Sequence, residues 1–321
     1  MNLGSRSNRI FVDFPNGRQS FWKSLSSRVS LDIGVHAEGV PTMFHVRSMS
    51  VKDLEFAVQI TGKMGWDLVD EDFKFMMELE PEGCFVALHD SERIGLATTV
   101  SFDKIGWFGN LVVNENYRNK GIGSLLVTHS INYLHGKNVE TVGLYAYENR
   151  IHFYTRIGFK RDSDFTVMKG KGFSSAPGLN VRKADGHDVE EIIEYDKSCF
   201  GGSRKKLLEP ILSDSDNLCF VAVEGNMVSG YVVAKVYRGV AEMGPFVCSP
   251  DQDDLAIGLL KTMLNRLSGL QVSLFLPSKE TSIINMLKGN GFTEEFRVAR
   301  MYHGTALAMN CIRGAESLER G

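Results

Sequence analysis

The feature that most constrains the fold is that the chain runs through one pattern twice. From Thr42, strand-like and helix-like stretches follow in the order β-α-α-β-β-β-α-β-α-β, and from Leu179 the same order begins again. Two Gly-Phe pairs, Gly158-Phe159 and Gly291-Phe292, lie 133 residues apart and anchor the correspondence. A long internal duplication is the economical account. The 321 residues suit two domains of ordinary size, each with enough chain for its own core.

In the first copy, Met43-Phe44-His45-Val46-Arg47 alternates as a strand does, and Ser50 caps a helix running to Lys63. Asp70 to Glu80 opens with acids, as a helix N-terminus prefers, and stops at Pro81 and Gly83. Cys84 to Leu88, Ile94 to Phe102 and Ile105 to Val113 are separated by short polar turns and read as a three-stranded antiparallel meander. Val127, Ile131 and Leu134 then fall on one helical face. Val139 to Ala146, a short helix over Asn149 to Arg156, and a strand through Met168 complete the set. In the second copy Leu218 to Val223 matches Cys84 to Leu88, and Leu260, Met263, Leu264 and Leu267 give the matching helix face.

These readings divide the chain into an extension (1–41), a first domain (42–168), a Gly- and Ser-rich linker (169–178), a second domain (179–303) and a tail (304–321). The extension lacks a continuous apolar run, which argues against a secretory signal, while its Arg and Ser bias also suits a transit-like leader. A net charge of −3 argues against non-specific nucleic-acid binding. No stretch approaches the 18 or so consecutive apolar residues of a membrane span. The five cysteines are scattered without a C-x-x-C pair, which disfavours disulfide frameworks and zinc sites and makes a reducing cytoplasm the expected setting. Oligomeric state is left open.

The stretch from Leu111 to Val127 carries the clearest chemistry. An apolar strand end runs into Asn114-Glu115-Asn116-Tyr117-Arg118-Asn119-Lys120-Gly121-Ile122-Gly123-Ser124 and then straight into the helix. Glycines let backbone N–H groups close on an oxyanion, and the donors and positive dipole end of the following helix face it. Arg118-Asn119-Lys120-Gly121-Ile122-Gly123 resembles the R/Q-x-x-G-x-G/A motif of the GNAT (GCN-related) N-acetyltransferase superfamily. Asn149-Arg150-Ile151-His152-Phe153-Tyr154-Thr155-Arg156-Ile157-Gly158-Phe159 is similar to that family's second motif, N-x-x-x-x-Y-x-x-x-G-F. The resemblance covers residues 42–168 by motif and 179–303 by topology.

The resemblance implies an α/β (α+β) fold of two tandem acyl-CoA N-acyltransferase domains, each contributing to a mixed, mostly antiparallel sheet flanked by helices. It implies acetyl-CoA as co-substrate, no metal, and direct attack of an amine on the bound thioester. Arg118, Lys120, Gly121, Gly123 and Ser124 would hold the pyrophosphate, and the strand end at Leu111 and Val113 the pantetheine arm. Tyr154 would protonate or hydrogen-bond the departing thiolate, although a helix-face tyrosine packing in the core reads the same way. Asn149 would bond the cofactor or simply cap a helix. Asp103, Glu115 and Glu148 are the nearby carboxylates, and none stands out as the base.

The second copy departs from the motif. Asp251, Asp254 and Ala256 stand where the first has Arg118, Gly121 and Gly123, and Leu287 stands in place of Tyr154. The acids of Asp251-Gln252-Asp253-Asp254 favour a helix start but repel an anionic ligand. Met243-Gly244-Pro245-Phe246, and Asp196 with Phe200-Gly201, resemble features of tandem proteins whose second half shapes the acceptor pocket; a strand break and a helix end explain them equally. The expectation is therefore an acetyltransferase with a catalytic first domain and a degenerate second one, acting on a small-molecule or protein amine. A longer-chain acyl or aminoacyl transferase, or a non-catalytic acyl-CoA sensor, are the rival readings.

Overall fold

The computed structural model describes residues 30–32, 43–225, 227–237, 239–306, 309 and 311–321. The extension read over 1–41 therefore lies outside the described residues, apart from a short strand, β1 (Ser30–Asp32), beside β2. The first copy runs β2 (Met43–Ser48), α1 (Leu54–Gly62), α2 (Asp70–Leu79), β3 (Cys84–His89), β4 (Glu92–Phe102), β5 (Ile105–Val113), α3 (Ile122–Gly136), β6 (Thr141–Tyr147), α4 (Ile151–Thr155) and β7 (Lys160–Lys171). The second runs β8 (Val181–Lys183), α5 (Val189–Phe200), α6 (Lys205–Ser213), β9 (Leu218–Glu224), β10 (Met227–Tyr237), β11 (Val240–Cys248), α7 (Asp253–Arg266), β12 (Gln271–Pro277), α8 (Thr281–Gly289) and β13 (Thr293–Gly304). The repeated order is thus present element for element. A last short strand, β14 (Ile312–Gly314), follows.

All strands join one mixed sheet in the order β1-β2-β3-β4-β5-β6-β13-β7-β12-β11-β10-β9-β8, with β14 beside β11. Only β5–β6 and β11–β12 pair in parallel among these neighbours, and the rest are antiparallel. Side chains alternate across the sheet, so Trp107 and its neighbour Phe108 enter different cores. Trp107 joins the core built by α1, α2, α5 and α6. Phe108 joins the one under α3 and α4. α7 and α8 cover the second half with a third core.

The centre of the sheet is an exchange. Each copy ends in a strand that pairs with the penultimate strand of the other: β13 lies on β6 from Val298↔Tyr147 to Gly304↔Thr141, and β7 lies on β12 from Phe165↔Pro277 to Lys171↔Gln271. β7 and β13 also pair with each other. The two halves are therefore joined by backbone ladders through the middle of the sheet.

Two stretches differ from the sequence reading. Lys169, Gly170 and Lys171, read as linker, continue β7 because β12 supplies their hydrogen-bond partners. Gly170 is required there, since an added methyl would meet the Phe292 ring at 2.4 Å. The stretch after Gly304, read as a tail, is built into the fold: β14 is buried, as are Ala315, Glu316, Ser317, Arg320 and Gly321. Its charges hid this, because in the sequence they look solvated and in the fold they satisfy one another.

Buried charges fix the packing within the second half and between the halves. Asp196 on α5 and Arg204, just before α6, are fully buried and paired at 2.6 and 3.0 Å, with the Tyr231 hydroxyl donating to the same carboxylate at 2.5 Å. Asp196 is thereby committed to this core cluster. Glu80, at the end of α2, accepts from Lys206 of α6, Tyr133 of α3 and the Ser101 hydroxyl, each at 2.7 Å. The described cysteines carry no disulfide. No helix among the described residues is long and apolar enough to cross a membrane.

Burial alone would raise the Glu80 pKa, but the bonds from Lys206, Ser101 and Tyr133 outweigh it and hold the carboxyl at about 2. Its stabilisation is full above the unfolded-state value of roughly 4.3 and is lost as pH falls toward about 2. Urea midpoints measured across that window should fall for the wild type and fall less steeply for Glu80→Gln. The exchange makes a second prediction: residues 43–178 expressed alone, lacking β13 and β12, should not give a cooperatively melting monomer by circular dichroism and size-exclusion chromatography.

Candidate functional site

In the first half β5 carries a bulge. Leu96 of β4 pairs with Val112 and Thr98 with Gly109, so Asn110 and Leu111 together face one residue of β4. Asn110 takes φ +52° and donates from its side-chain amide to Thr98 Oγ1 at 3.1 Å. On its other side β5 pairs with β6 only at Ile105, Gly106 and Trp107. Beyond Trp107 the strands separate, because β6 stays on β13 through Tyr147. The result is a wedge between β5 and β6, edged by the backbone from Phe108 to Val113.

The glycine turn lies beyond the end of that wedge. Asn119 and Gly121 adopt left-handed conformations, at φ +62° and +86°, and α3 starts immediately after. The first intrahelical bond is Leu125 N–H to Gly121 C=O, which leaves the N–H groups of Ile122, Gly123 and Ser124 without helical acceptors. Arg118 and Lys120 are exposed beside them. The Arg118 Nε donates to the Val113 carbonyl at 3.0 Å, tying the turn to the end of β5. Lys120 sits over the Tyr117 ring at 5.0 Å. Such a turn can bind an anion through backbone donors and two cations.

The second motif closes the same side. A methyl at Gly123 would lie 3.3 Å from the Phe153 ring, so α3 and α4 meet at this glycine. Tyr154 is buried against Phe108 of β5, with ring centroids 6.4 Å apart. Burial raises its phenol pKa, slightly opposed by Arg150, and keeps the hydroxyl protonated. Among the described residues no protein group hydrogen-bonds that hydroxyl, which leaves it a donor to spare. Asn149 is exposed in the short 3-10 turn ahead of α4. The fold thus gathers Leu111, Val113, Arg118, Lys120, Gly121, Gly123, Ser124 and Tyr154 around one wedge, with Asn149 at its rim.

The carboxylates considered from sequence lie elsewhere. Asp103 accepts from the Ser203 N–H at 2.9 Å across the halves, Glu148 pairs with Arg161, and Glu115 is exposed in a turn.

The second half has the same bulge, with Gly244 and Pro245 facing one residue of β10, and the same parting of β11 from β12 beyond Met243. Here the wedge is filled from within. β14 pairs with β11 at Phe246 and Val247, and the Ala315 N–H donates to Phe275 of β12 at 2.9 Å. Arg313 of β14 reaches Glu280 at 2.6 Å and Asp253, in the first turn of α7, at 2.8 Å.

The chain then crosses to the first half. An added methyl at Gly244 would strike the Ala315 carbonyl at 2.0 Å, and one at Gly109 would lie 2.5 Å from Glu319 Cβ. Gly109 stands just before the bulge of β5 and Gly244 is the first residue of the bulge of β11, so a glycine at each bulge leaves room for this segment. Phe200 of α5 packs on the same face, 6.5 Å from the Trp107 ring.

Residues 55–159 match a family described as "Acetyltransferase (GNAT) family", and residues 192–311 match an "Acetyltransferase (GNAT) domain". A holothin acyltransferase of Pseudoalteromonas sp. (strain SANK 73390) is 25% identical over 244 residues, spanning 74% of this chain and 81% of its own. The uncharacterized N-acetyltransferase YitH of Bacillus subtilis (strain 168) is 20% identical over 247 residues, spanning 74% and 84%. Among solved structures, a provisionally named acetyltransferase from Pyrococcus horikoshii superposes with a TM-score of 0.73 at 20% identity, covering 89% of this chain and 99% of its own. A tandem GNAT protein from the clavulanic acid biosynthesis pathway gives 0.57 at 12% identity, covering 81% and 98%.

The left-handed turn sets a stability test. Gly121→Ala should cost about 1–2 kcal/mol of unfolding free energy in urea titrations, because a side chain is strained at φ +86°. Gly123→Ala, which meets only the edge of the Phe153 ring, should cost less.

Proposed function

Because the chain belongs to the GNAT acetyltransferase superfamily and carries two of its domains in tandem, we propose that it transfers an acetyl group from acetyl-CoA to an amine, using the first half alone. The observation that carries this reading is the contrast between the two wedges. In the first half no described segment enters the wedge, which leads to a glycine turn with donors lacking helical acceptors and two cations. In the second half β14 occupies the wedge and Asp253 and Asp254 begin the helix.

The geometry supports the following division of labour. The turn from Arg118 to Ser124 holds the pyrophosphate, and the bulged strand from Leu111 to Val113 offers backbone groups to the pantetheine arm. Holding thioester and amine together supplies much of the rate. As the C–S bond breaks, negative charge gathers on sulfur, and the buried, protonated Tyr154 is suited to donate to it. Asn149 supports the cofactor from the rim. The second half shapes the acceptor side, since α5 and the segment after β14 pack on the face of β5 opposite Tyr154.

The name of the holothin acyltransferase relative keeps the acyl chain length as the point to measure. Isothermal titration with acetyl-CoA should give one site per chain, and Arg118→Ala with Lys120→Ala should weaken binding by about 10–100-fold, as expected for loss of charged hydrogen bonds. Thiol release with a panel of amines should be faster from acetyl-CoA than from longer acyl-CoA esters and should drop in Tyr154→Phe. Two sites per chain, or binding without thiol release, would refute the reading.

A further inference from the structure

A transferase of this kind needs a group that takes a proton from the incoming ammonium, and the carboxylates near the two motifs are engaged elsewhere or exposed in turns. The segment after β14 supplies another. Gly109 immediately precedes the bulge at Asn110 and Leu111, and its missing side chain is replaced by Glu319: a methyl at Gly109 would lie 2.5 Å from Glu319 Cβ and 2.7 Å from its Cα. Trp107 and Gly109 share the face of β5 opposite Phe108, against which Tyr154 packs. Glu319 and Tyr154 therefore flank the same strand from opposite sides.

The surrounding charges single out Glu319. Glu316 is fully buried and held by Lys235 at 2.5 Å and Arg320 at 2.8 Å. Glu242 of β11 shares Lys235 at 3.3 Å. Among the described residues Glu319 is anchored by Arg320 alone, at 2.9 Å, and its side chain keeps 18% exposure. Arg320 is itself fixed against the Phe75 ring of α2 at 5.6 Å. Next to this segment the Trp107 indole N–H is buried without a hydrogen-bond partner among the described residues, an orphan donor on the same face.

Resting on the transferase reading above, we propose that Glu319 is the base on the acceptor side of the first half's site. Its carboxylate removes one proton from the ammonium of the acceptor. The neutral nitrogen's lone pair then forms the C–N bond to the thioester carbonyl carbon. As the C–S bond breaks, the nitrogen loses its second surplus proton to solvent water and the sulfur takes one from Tyr154; solvent then reprotonates Tyr154 and takes the proton held by Glu319. The groups shown near Glu319 are Arg320 of its own segment, Glu242 of β11 and Tyr237 of β10.

The test compares wild type, Glu319→Gln and Glu319→Asp for acetyl-CoA affinity and for thiol release across pH. Probe amines are spermidine, lysine and glucosamine, with slow release to water measured alongside. Glu319→Gln should bind acetyl-CoA within about twofold of wild type, which also reports that it folds. Its kcat should fall about 100-fold or more, with loss of the acidic limb of the pH profile, and Glu319→Asp should recover part of the rate. A Glu319→Gln enzyme within threefold of wild type across pH would overturn this role and leave the transferase reading intact. Acetyl-CoA bound by wild type without thiol release to any amine or to water would overturn both.

Discussion

The reciprocal pairing of β13 with β6 and of β7 with β12 is the constraint on which the rest of the molecule depends. Two domains joined by a linker can move against each other, because their contact is a surface. Here the contact is a continuous ladder of backbone hydrogen bonds through the centre of the sheet. Moving the halves apart would expose buried N–H and C=O groups along four strands, each costly to leave unpaired. The face carrying α1, α2, α5 and α6 is therefore shared between the halves, and one core runs beneath it.

The same sheet accounts for the different contents of the two wedges. A bulge that parts β5 from β6, or β11 from β12, leaves a strand edge without partners inside the protein. Such an edge has to be paired by something. In the second half the chain pairs it with β14 and seals the mouth with Arg313, Glu280 and Asp253. In the first half no described segment pairs it, so the edge is available to a ligand beside a turn rich in donors. Acids at the start of α7 suit the filled wedge, where they meet the Arg313 guanidinium, and would be unfavourable beside a pyrophosphate.

Much of this was legible in the sequence. The strands and helices stood out because their apolar periods are strong, and the glycine turn did because left-handed residues and adjacent cations are concentrated in a few positions. The exchange of final strands was not legible: β7 and β13 have the same pattern, and nothing in an alternating strand states which neighbour it takes. The path of the last segment was hidden for a different reason. The sequence reads 304–321 only as a tail, and the fold reveals that Arg313, Glu316, Glu319 and Arg320 each face an opposite charge. Asp196, which the sequence left open between an acceptor-pocket residue and a helix end, is shown by the fold to meet Arg204 and Tyr231.

Those buried charges do more to fix position than to add stability. Taking Glu316, Lys235 and Arg320 out of water is expensive, and their attraction roughly offsets the loss. What such a cluster supplies is intolerance of misplacement. If the segment slipped by one residue, Glu316 would lose Lys235 and Arg320 would lose the Phe75 ring, leaving buried charge uncompensated at about 3–5 kcal/mol for each broken pair. Arg313 adds the same restriction at the start of the segment, and the bond from Arg204 to the Gly321 carbonyl at 2.9 Å adds it at the end. A stretch fixed at both ends and in the middle can hold Glu319 against Gly109 to within a fraction of a residue spacing. An apolar segment of equal length would bury as much surface, yet it could slide along the face and carry that carboxylate away from the bulge.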